Sequence, residues 1–529
     1  MKKFCFLISV VLLLSSQHIF ADHSHPAPEK LGTVSFPTSC TAVVKDSFVR
    51  GVALLHSFAY EEAGKQFEEV EKADPHCAMA YWGEAMSLYH ELWGRPGQSD
   101  LKHGWELLEK ANAVGAKTQR ERDYINALSV FYRGYDTTEY EKRAAAYPAA
   151  MEKLYQQYPH DHEAAAFYAL SLLSWEDGTA DFLANTKKAI AILTDLFEKA
   201  PDHPGAAHYL IHACDNPQFA AQGLAAARRY AKIAPSSPHA LHMPSHIFAR
   251  LGLWQDDIQS NLASEAAARQ QSSVDYSLHA MEFLEYAYLQ IGEETKAQAL
   301  IQKLRSIPKN EISGDFADSY NRRQAAFPAL YALELRLWSD ALKLQPVEGA
   351  TPDIQGITYW ARAIAAGHLR NAEAARSALE QLDDAIDATS KGKQPLRAGP
   401  MHRLHIEAAA WLSFAEGKGE EAVSMLRPTA DRQGEIGKGE VELPAREMIA
   451  EILLQTNHPA DALAEYEKSL QSDPNRLNAI YGAARSAEAA HVPDKANHYY
   501  AQLRNIANGA NSDRPELVRA KLRAQNSLN

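Results

Sequence analysis

Apolar residues recur along most of this chain at intervals of three and four, the spacing of an amphipathic helix. From Val44 onward, small, bulky and helix-ending residues also take the positions expected in a helix-turn-helix unit of about 34 residues, namely Gly51, Leu54, Ala63, Phe67 and Pro75. The same phase returns near the C-terminus, where Ala462 and Tyr466 are followed by Ala496 and Tyr500. No segment alternates as a strand does. The pattern therefore predicts an all-α fold, a right-handed α-solenoid of stacked helix pairs.

Four histidines fall into two matching pairs along this repeat. His208 and His212 are separated by four residues, as are His242 and His246, so both rings of a pair lie on one helix face. The second pair follows the first by one repeat of about 34 residues. Neutral imidazole is a common ligand of zinc and copper. We therefore predict a transition-metal site, with zinc or copper the favoured ion, in which the pairs complete one tetrahedral site or hold two ions.

Several segments carry a resemblance to a known family. The repeat pattern resembles that of tetratricopeptide repeat proteins over nearly the whole mature chain. Residues 77–83, 208–212 and 242–247 are more narrowly similar to segments of exported bacterial members. In this family the first helix of each repeat lines a concave groove. The resemblance implies that the paired histidines face one stretch of groove together with further ligands or outer-shell partners, namely His239, His279 and Glu282. It also implies groove positions available to a partner for His56, Trp82 and His90.

Pro244 interrupts the helix that carries the second histidine pair. A proline inside a helix removes one hydrogen bond and clashes with the preceding turn. Either the helix bends there, or a new helix begins near Pro244 and leaves His239 and His242 on its approach. The second arrangement would break the repeat phase of those two histidines. We favour the bend.

Two functions from different classes fit these residues. Neither histidine pair encloses the glutamate of an H-E-x-x-H zinc protease, so that mechanism is excluded. The first hypothesis is a metal-binding repeat protein, either a carrier or a metal-dependent enzyme. The alternative is a scaffold that binds a peptide or a partner protein in its groove without metal. No nucleophile–base pair can be identified from the sequence, so catalysis is left open.

The N-terminus and the cysteines indicate an exported protein. A basic start, a short apolar run and a small residue near position 21 are typical of a signal peptide over residues 1–21. We therefore expect a secreted or periplasmic location. Disulfides persist in such compartments. Cys40 and Cys77 each precede the first helix of neighbouring units, so we predict a bond between them, whereas Cys214 falls at a core position.

Charge and hydropathy limit the partners. The formal net charge is −13 and no basic block is present, so we expect no binding of nucleic acid. No later segment is apolar over the length that spans a bilayer, so we expect no membrane insertion after cleavage. We divide the remaining chain into a tail over 22–43, a first repeat array with the histidine groove over 44–310, irregular repeats and a loop over 311–400, and a C-terminal array over 401–529.

Overall fold

The computed structural model describes residues 29–526 except 91, 93, 174–179, 309–311, 313–315 and 440. The predicted signal peptide lies outside the described residues, as does the beginning of the predicted tail. Within them the regular elements are all helices, so the predicted all-α fold is confirmed. In the same part of the chain, no helix has both the length and the apolar character needed to cross a membrane.

The first half of the chain is a series of antiparallel helix pairs, in which each long helix contacts the next one along the chain. The first eight helices are α1 Lys45–His56, α2 Tyr60–Ala73, α3 Ala78–Ser87, α4 Gln98–Val114, α5 Gln119–Tyr132, α6 Tyr140–Gln157, α7 His162–Leu173 and α8 Ala180–Lys199. The next seven are α9 Pro204–Cys214, α10 Ala220–Ile233, α11 Pro238–His242, α12 Pro244–Arg250, α13 Trp254–Gln270, α14 Val274–Gln290 and α15 Glu294–Arg305.

The second half continues as a helical array. Its helices are α16 Phe316–Glu334, α17 Trp338–Ala341, α18 Pro352–His368, α19 Ala372–Ser390, α20 Ala398–Ala415, α21 Gly419–Ile436, α22 Ala445–Gln455, α23 Pro459–Ser472, α24 Leu477–Ala489, α25 Pro493–Ile506 and α26 Pro515–Asn526. The whole is a tetratricopeptide-like array of helix pairs, an architecture whose stacked repeats create extended surfaces for partners.

The repeat pattern has a direct packing explanation in the first unit. Phe67 of α2 is fully buried between α1 and α3. A Cβ atom added at Gly51 would lie 2.7 Å from the Phe67 ring, and one added at Gly83 would lie 2.4 Å from it. Such distances are shorter than any ordinary carbon contact, so both positions must remain without a side chain for the three helices to close around this ring.

An extended segment covers the first array on one edge. We call residues 29–41 the N-terminal strap. Its backbone amides donate to side chains at the beginnings of α5 and α7: Ser39 donates to Glu121 at 2.6 Å, and Ser35 donates to Glu163 at 3.2 Å. Cys40 at its end is joined to Cys77 by a disulfide, with the two Cα atoms 4.8 Å apart. The strap therefore occupies the edge at which the first repeats begin.

The C-terminal array folds back against the middle of the chain. The Trp254 Nε1–H donates to the carbonyl of Asn475 at 2.8 Å, and the Asn216 amide donates to the carbonyl of Glu435 at 3.4 Å. Helices α14 and α24 are also in contact. The segments that directly follow the histidine-bearing helices α9 and α12 therefore contact the C-terminal array.

A buried histidine in the second half makes stability depend on pH. The His368 ring lies between Trp338 and Trp411, with centroid distances of 3.7 and 3.8 Å. Burial lowers the pKa of His368 to about 3. Between the ordinary histidine pKa of 6.5 and this value, the unfolded chain takes up a proton that the native chain does not. Stability therefore falls as pH decreases through that window.

We expect the His368→Phe variant to lose less stability than the parent on acidification. The difference should be about 2 kcal/mol between pH 7.5 and pH 5, because pH 5 lies about 1.5 pH units below the pKa of 6.5 in the unfolded chain and still above the native pKa. Urea denaturation at both pH values measures it. His402→Phe, at an exposed position of α20, is the matched control. Equal acid sensitivity of the His368 variant and the parent would contradict the prediction.

Candidate metal centre

The backbone remains helical in the turn that precedes Pro244. Helix α11 ends at His242 and α12 begins at Pro244, and the residue between them, Met243, has helical angles of φ −51° and ψ −33°. The Met243 amide donates to the carbonyl of His239 at 2.9 Å. As a result, Nε2 of His242 and Nε2 of His246 are only 3.0 Å apart. A new helix therefore begins at Pro244, as in the alternative that was not favoured, but Met243 remains helical and the phase of the second pair is preserved.

The first pair forms a triad with a residue of the next repeat. Nε2 of His208 lies 3.0 Å from Nε2 of His239 and 3.1 Å from Nε2 of His212. These three side chains form a group with metal-ligand spacing, which we call the first triad. Two nitrogens bound to one tetrahedral zinc ion, each at about 2.0–2.1 Å, lie about 3.3–3.4 Å apart. The observed separations are within a few tenths of an ångström of that distance, so a small outward movement of the rings would admit an ion.

The second pair forms a corresponding group with a residue of α14. His242, His246 and His279 present one ligand atom each within 4.8 Å of one another, and we call them the second triad. The two triads are neighbours, because ring centroids of His212 and His246 are 6.3 Å apart, as are those of His239 and His242. Six imidazoles from three successive repeats thus meet at one place.

Oxygen acceptors determine which ring nitrogen carries hydrogen in the second triad. His246 Nδ1 donates to a carboxylate oxygen of Asp215 at 2.8 Å, and the other oxygen accepts from Arg250 at 2.7 Å. His242 Nδ1 donates to the side-chain oxygen of Asn261 at 2.6 Å. The Asn261 amide nitrogen donates to Asp257 at 2.8 Å, so its oxygen is the atom that faces the histidine.

A similar contact orients the first triad. His208 Nδ1 lies 2.6 Å from the backbone carbonyl of His56, which can only accept a hydrogen bond. His208 Nδ1 therefore carries the hydrogen, and Nε2 of the neutral ring carries a lone pair. Metal-binding histidines in proteins are commonly held this way, with the second nitrogen donating to a carbonyl or carboxylate.

These tautomers place nitrogen lone pairs opposite each other. With both Nδ1 atoms donating to oxygen, neutral His242 and His246 each present a lone pair on Nε2, at a separation of 3.0 Å. Two lone pairs at that distance repel unless a cation lies between them, and the cation is either a proton or a metal ion. The geometry is therefore that of a cation site.

Burial favours the metal over the proton in the first triad. His208 and His239 are almost completely buried. The pKa of each ring is held well below its ordinary value, first because burial disfavours the charged form and then because the neighbouring histidines repel it. Imidazole must be neutral to bind a metal ion. The protein thus keeps these ligands in the binding form at neutral pH.

An aromatic side chain covers the first triad. The Phe58 ring stacks on His212 and His239, with centroids 5.3 and 5.8 Å away, and lies 4.3 Å from the His208 ring. Phe58 has a φ of 54°, a left-handed conformation that is rare for a bulky residue and is held by surrounding contacts. This turn after α1 directs the ring onto the histidines, and it excludes water from one side of the triad.

Other predicted site residues lie elsewhere. Glu282 is outside both triads: its carboxylate is 3.3 Å from Arg323 and 3.6 Å from Nδ1 of His279, which fits the outer-shell alternative and not the ligand. His56 and Trp82 are buried, so their predicted exposure to a partner is wrong. The strap is one reason, because its Phe36 packs 5.2 Å from the Trp82 ring.

His90 remains partly exposed. Its Nδ1 lies 3.2 Å from the carbonyl of Gly94, and its ring is 6.1 Å from that of Tyr60. It lies in neither triad nor any other histidine or carboxylate group with metal-ligand spacing among the described residues. Its groove position stays a prediction.

A third group, made of His56, Glu163 and His203, lies next to the first triad. His56 Nε2 lies 2.6 Å from Glu163, and His203 Nε2 lies 3.2 Å from the same carboxylate. The other nitrogen of His56 is 3.0 Å from the Tyr209 hydroxyl. Because both nitrogens of His56 are already engaged within the core, we interpret this group as the support that fixes the His56 carbonyl, and through it the His208 ring.

The sequence did not identify the residues that orient the histidines. Asp215 lies just after α9, and Asn261 lies on α13, within a helix that otherwise has no distinguishing pattern. Neither is at a repeat position shared with the histidines, so no spacing rule finds them. Cys214, predicted as core, is buried, and burial raises the pKa of its thiol to about 12. It is therefore not poised as a thiolate ligand.

Comparison with known proteins adds little to this site. No protein-family model matches the chain, and no curated protein matches it. Among solved structures, the human IFIT1 dimer with m7Gppp-AAAA has a TM-score of 0.36 and 12% identity, covering 82% of this chain and 90% of that one. The human IFIT1 dimer with PPP-AAAA has a TM-score of 0.34 and 11% identity, covering 82% and 91%. Likenesses this small carry no argument about function.

Proposed function

We propose that this protein is a metal-dependent enzyme with a two-metal centre, one transition-metal ion in each histidine triad. The observation that carries the proposal is the pair of Nε2 atoms of His242 and His246, which face each other at 3.0 Å while both Nδ1 atoms donate to oxygen. All-imidazole ligand sets suit copper and zinc. The ligand class therefore supports those two metals.

The ligand count favours an enzyme over a carrier. Each triad supplies three protein ligands, which is the number found in catalytic zinc sites that keep a fourth position for water or substrate. Two ions in neighbouring sites can bind both the attacking and the leaving group of a reaction, or both atoms of a small ligand. The most accessible sides of the two triads are at His212, which is partly exposed, and at His246, whose side chain is 11% exposed, and such a ligand would arrive there.

The alternative, a scaffold without metal, is supported by the repeat architecture alone. The inner residues that were expected to bind a partner, His56 and Trp82, are inaccessible beneath the chain itself. A partner protein or peptide would have to use another surface. Binding of such a partner and a metal centre are compatible, and we place the metal first because its evidence is a set of specific contacts.

Metal content of the exported protein tests the proposal. The full chain is produced in a bacterial host, and protein recovered from the periplasm is analysed for metals, so that recovery there also tests the proposed export. After chelation and reloading with Zn²⁺ or Cu²⁺, we expect about two ions per chain that survive gel filtration. Less than about a tenth of an ion per chain after reloading would overturn the proposal.

A further inference from the structure

A cavity of about 430 Å³ lies directly beside the second triad. Its walls are mainly apolar and come from α14, α16, α18 and α20 and the segment before α22, including Phe283, Phe327, Leu330, Trp360, Met401 and Leu404. The volume is in the range of small-molecule sites, with room for roughly one or two rings. The mostly apolar wall indicates that the occupant buries hydrocarbon surface there.

Two polar residues of α14, His279 and Glu282, line the cavity next to the second triad, and we call this part of its wall the polar end. Phe283, next in the chain, lies against the second triad, with its ring centroid 4.8 Å from those of both His242 and His246. The cavity and the second triad therefore share His279 and Phe283 as a common wall, and a molecule in the cavity would lie next to an ion held by this triad.

The charges around the cavity are balanced. Three arginines line it, and each has a carboxylate partner: Arg322 is 2.5 Å and Arg397 is 3.8 Å from Asp353, and Arg403 is 2.6 Å from Glu442. The polar end holds the further carboxylate of Glu282. An anionic ligand would meet these carboxylates without an uncompensated positive charge to bind, so a neutral molecule is favoured.

The wall chemistry favours an aromatic ring over a saturated one. Phe283, Phe327 and Trp360 offer edges and faces to a planar ring. Guanidinium groups that are already paired with carboxylates still stack on aromatic faces. At the polar end, the Glu282 carboxylate can accept a hydrogen bond from a hydroxyl group.

From these observations we infer that the cavity binds a neutral aromatic molecule with one hydroxyl group, a phenol, with the hydroxyl turned toward His279 and Glu282. The direct approach of that oxygen to a metal ion rests on the proposed function. The aromatic binding itself does not, because the apolar walls and the carboxylate of Glu282 are present without any ion.

Calorimetric titration with 4-methylphenol tests this inference on the full-length mature protein, both metal-free and reloaded. We expect saturable binding of one molecule in both states, tighter in the reloaded one. 4-Methylbenzoate and 4-methylcyclohexanol should each bind at least about tenfold more weakly, because the first carries a charge and the second lacks the ring.

A cavity-filling variant locates the site. Ala326 lines the cavity on α16, and Ala326→Trp should weaken 4-methylphenol binding by at least about tenfold. Ala388→Trp, at an exposed position of α19, is the matched control and should bind as the parent does. Circular dichroism and metal content are measured on the same samples to show that both variants are folded.

The outcomes separate the two proposals. Metal binding without saturable 4-methylphenol binding, or phenol binding that Ala326→Trp leaves unchanged, overturns the inference and leaves the metal centre standing. Stronger binding of 4-methylbenzoate or 4-methylcyclohexanol than of 4-methylphenol also overturns it. If the parent protein takes up no metal, the metal centre is overturned. If that protein still binds 4-methylphenol and Ala326→Trp abolishes the binding, the inference about the cavity is supported.

Discussion

A protein in which His212 and His246 are both replaced by alanine is expected to lose its tightly bound metal, from about two ions per chain to fewer than about 0.2. Each substitution removes one of three ligands from a different triad. An ion held by two imidazoles and solvent is bound weakly, and we expect each affinity to fall by at least about a thousandfold. Metal analysis after gel filtration measures the loss.

These two histidines are the appropriate ones to replace. Both lie at the partly exposed side of the centre, with 11% of the His246 side chain exposed, whereas His208 is completely buried and its removal would leave a cavity in the core. The matched control replaces exposed His160 and His498, so that two histidines are lost from the surface. Retention of two ions by the His212→Ala/His246→Ala protein would show that the triads are not the metal site.

The second large effect is expected at Arg476. Its guanidinium is 1% exposed and lies 2.8 Å from Glu334 and 2.5 Å from Glu447, and it also donates to the Tyr286 hydroxyl. Through these contacts one residue at the start of α24 joins α14, α16 and α22. Arg476→Met leaves two buried carboxylates facing each other, and losses of about 3–5 kcal/mol are typical when one partner of a buried ion pair is removed.

Urea denaturation of the Arg476→Met protein measures this loss near neutral pH. The loss should become smaller as pH falls, because the Glu447 carboxylate, whose pKa is already raised by burial, loses its uncompensated charge when it is protonated. Arg519→Met, at a side chain that is 51% exposed on α26, is the control and should change stability by less than about 1 kcal/mol. A similar small effect at Arg476 would mean that the C-terminal array is not held by this group.

The repeat spacing was sufficient to predict the helices and to bring the paired histidines together. Residues at i and i+4 lie on the same face of a helix. Equivalent positions one repeat later lie on the corresponding face of the equivalent helix in the next repeat. Pro244 did not disturb the spacing of the second pair, because Met243, between α11 and α12, keeps helical backbone angles. The same repeat phase also predicted that His239 and His279 lie beside the paired histidines. Glu282 was placed in the correct neighbourhood, but its carboxylate turns to Arg323.

The exposure of the groove could not be read from the repeats. His56 and Trp82 have groove positions in each unit, yet the strap and the neighbouring helices bury them. Whether a groove position is open depends on which other segment lies over it, and that segment is far away in the chain. A local period contains no information about contacts at separations such as the 128 residues between Ser35 and Glu163.

The sequence by itself determined the class of fold and the identity of six histidines that share a phase, because both follow from local helical geometry repeated along the chain. Only the tertiary structure decided what those histidines can do. Asp215, Asn261 and the carbonyl of His56 set the tautomers of three of them, Phe58 covers the first triad, and residues of the C-terminal array form part of the wall of the cavity beside His279. These are contacts between separate repeats, and their directional hydrogen bonds and burial exist only once the chain has closed upon itself.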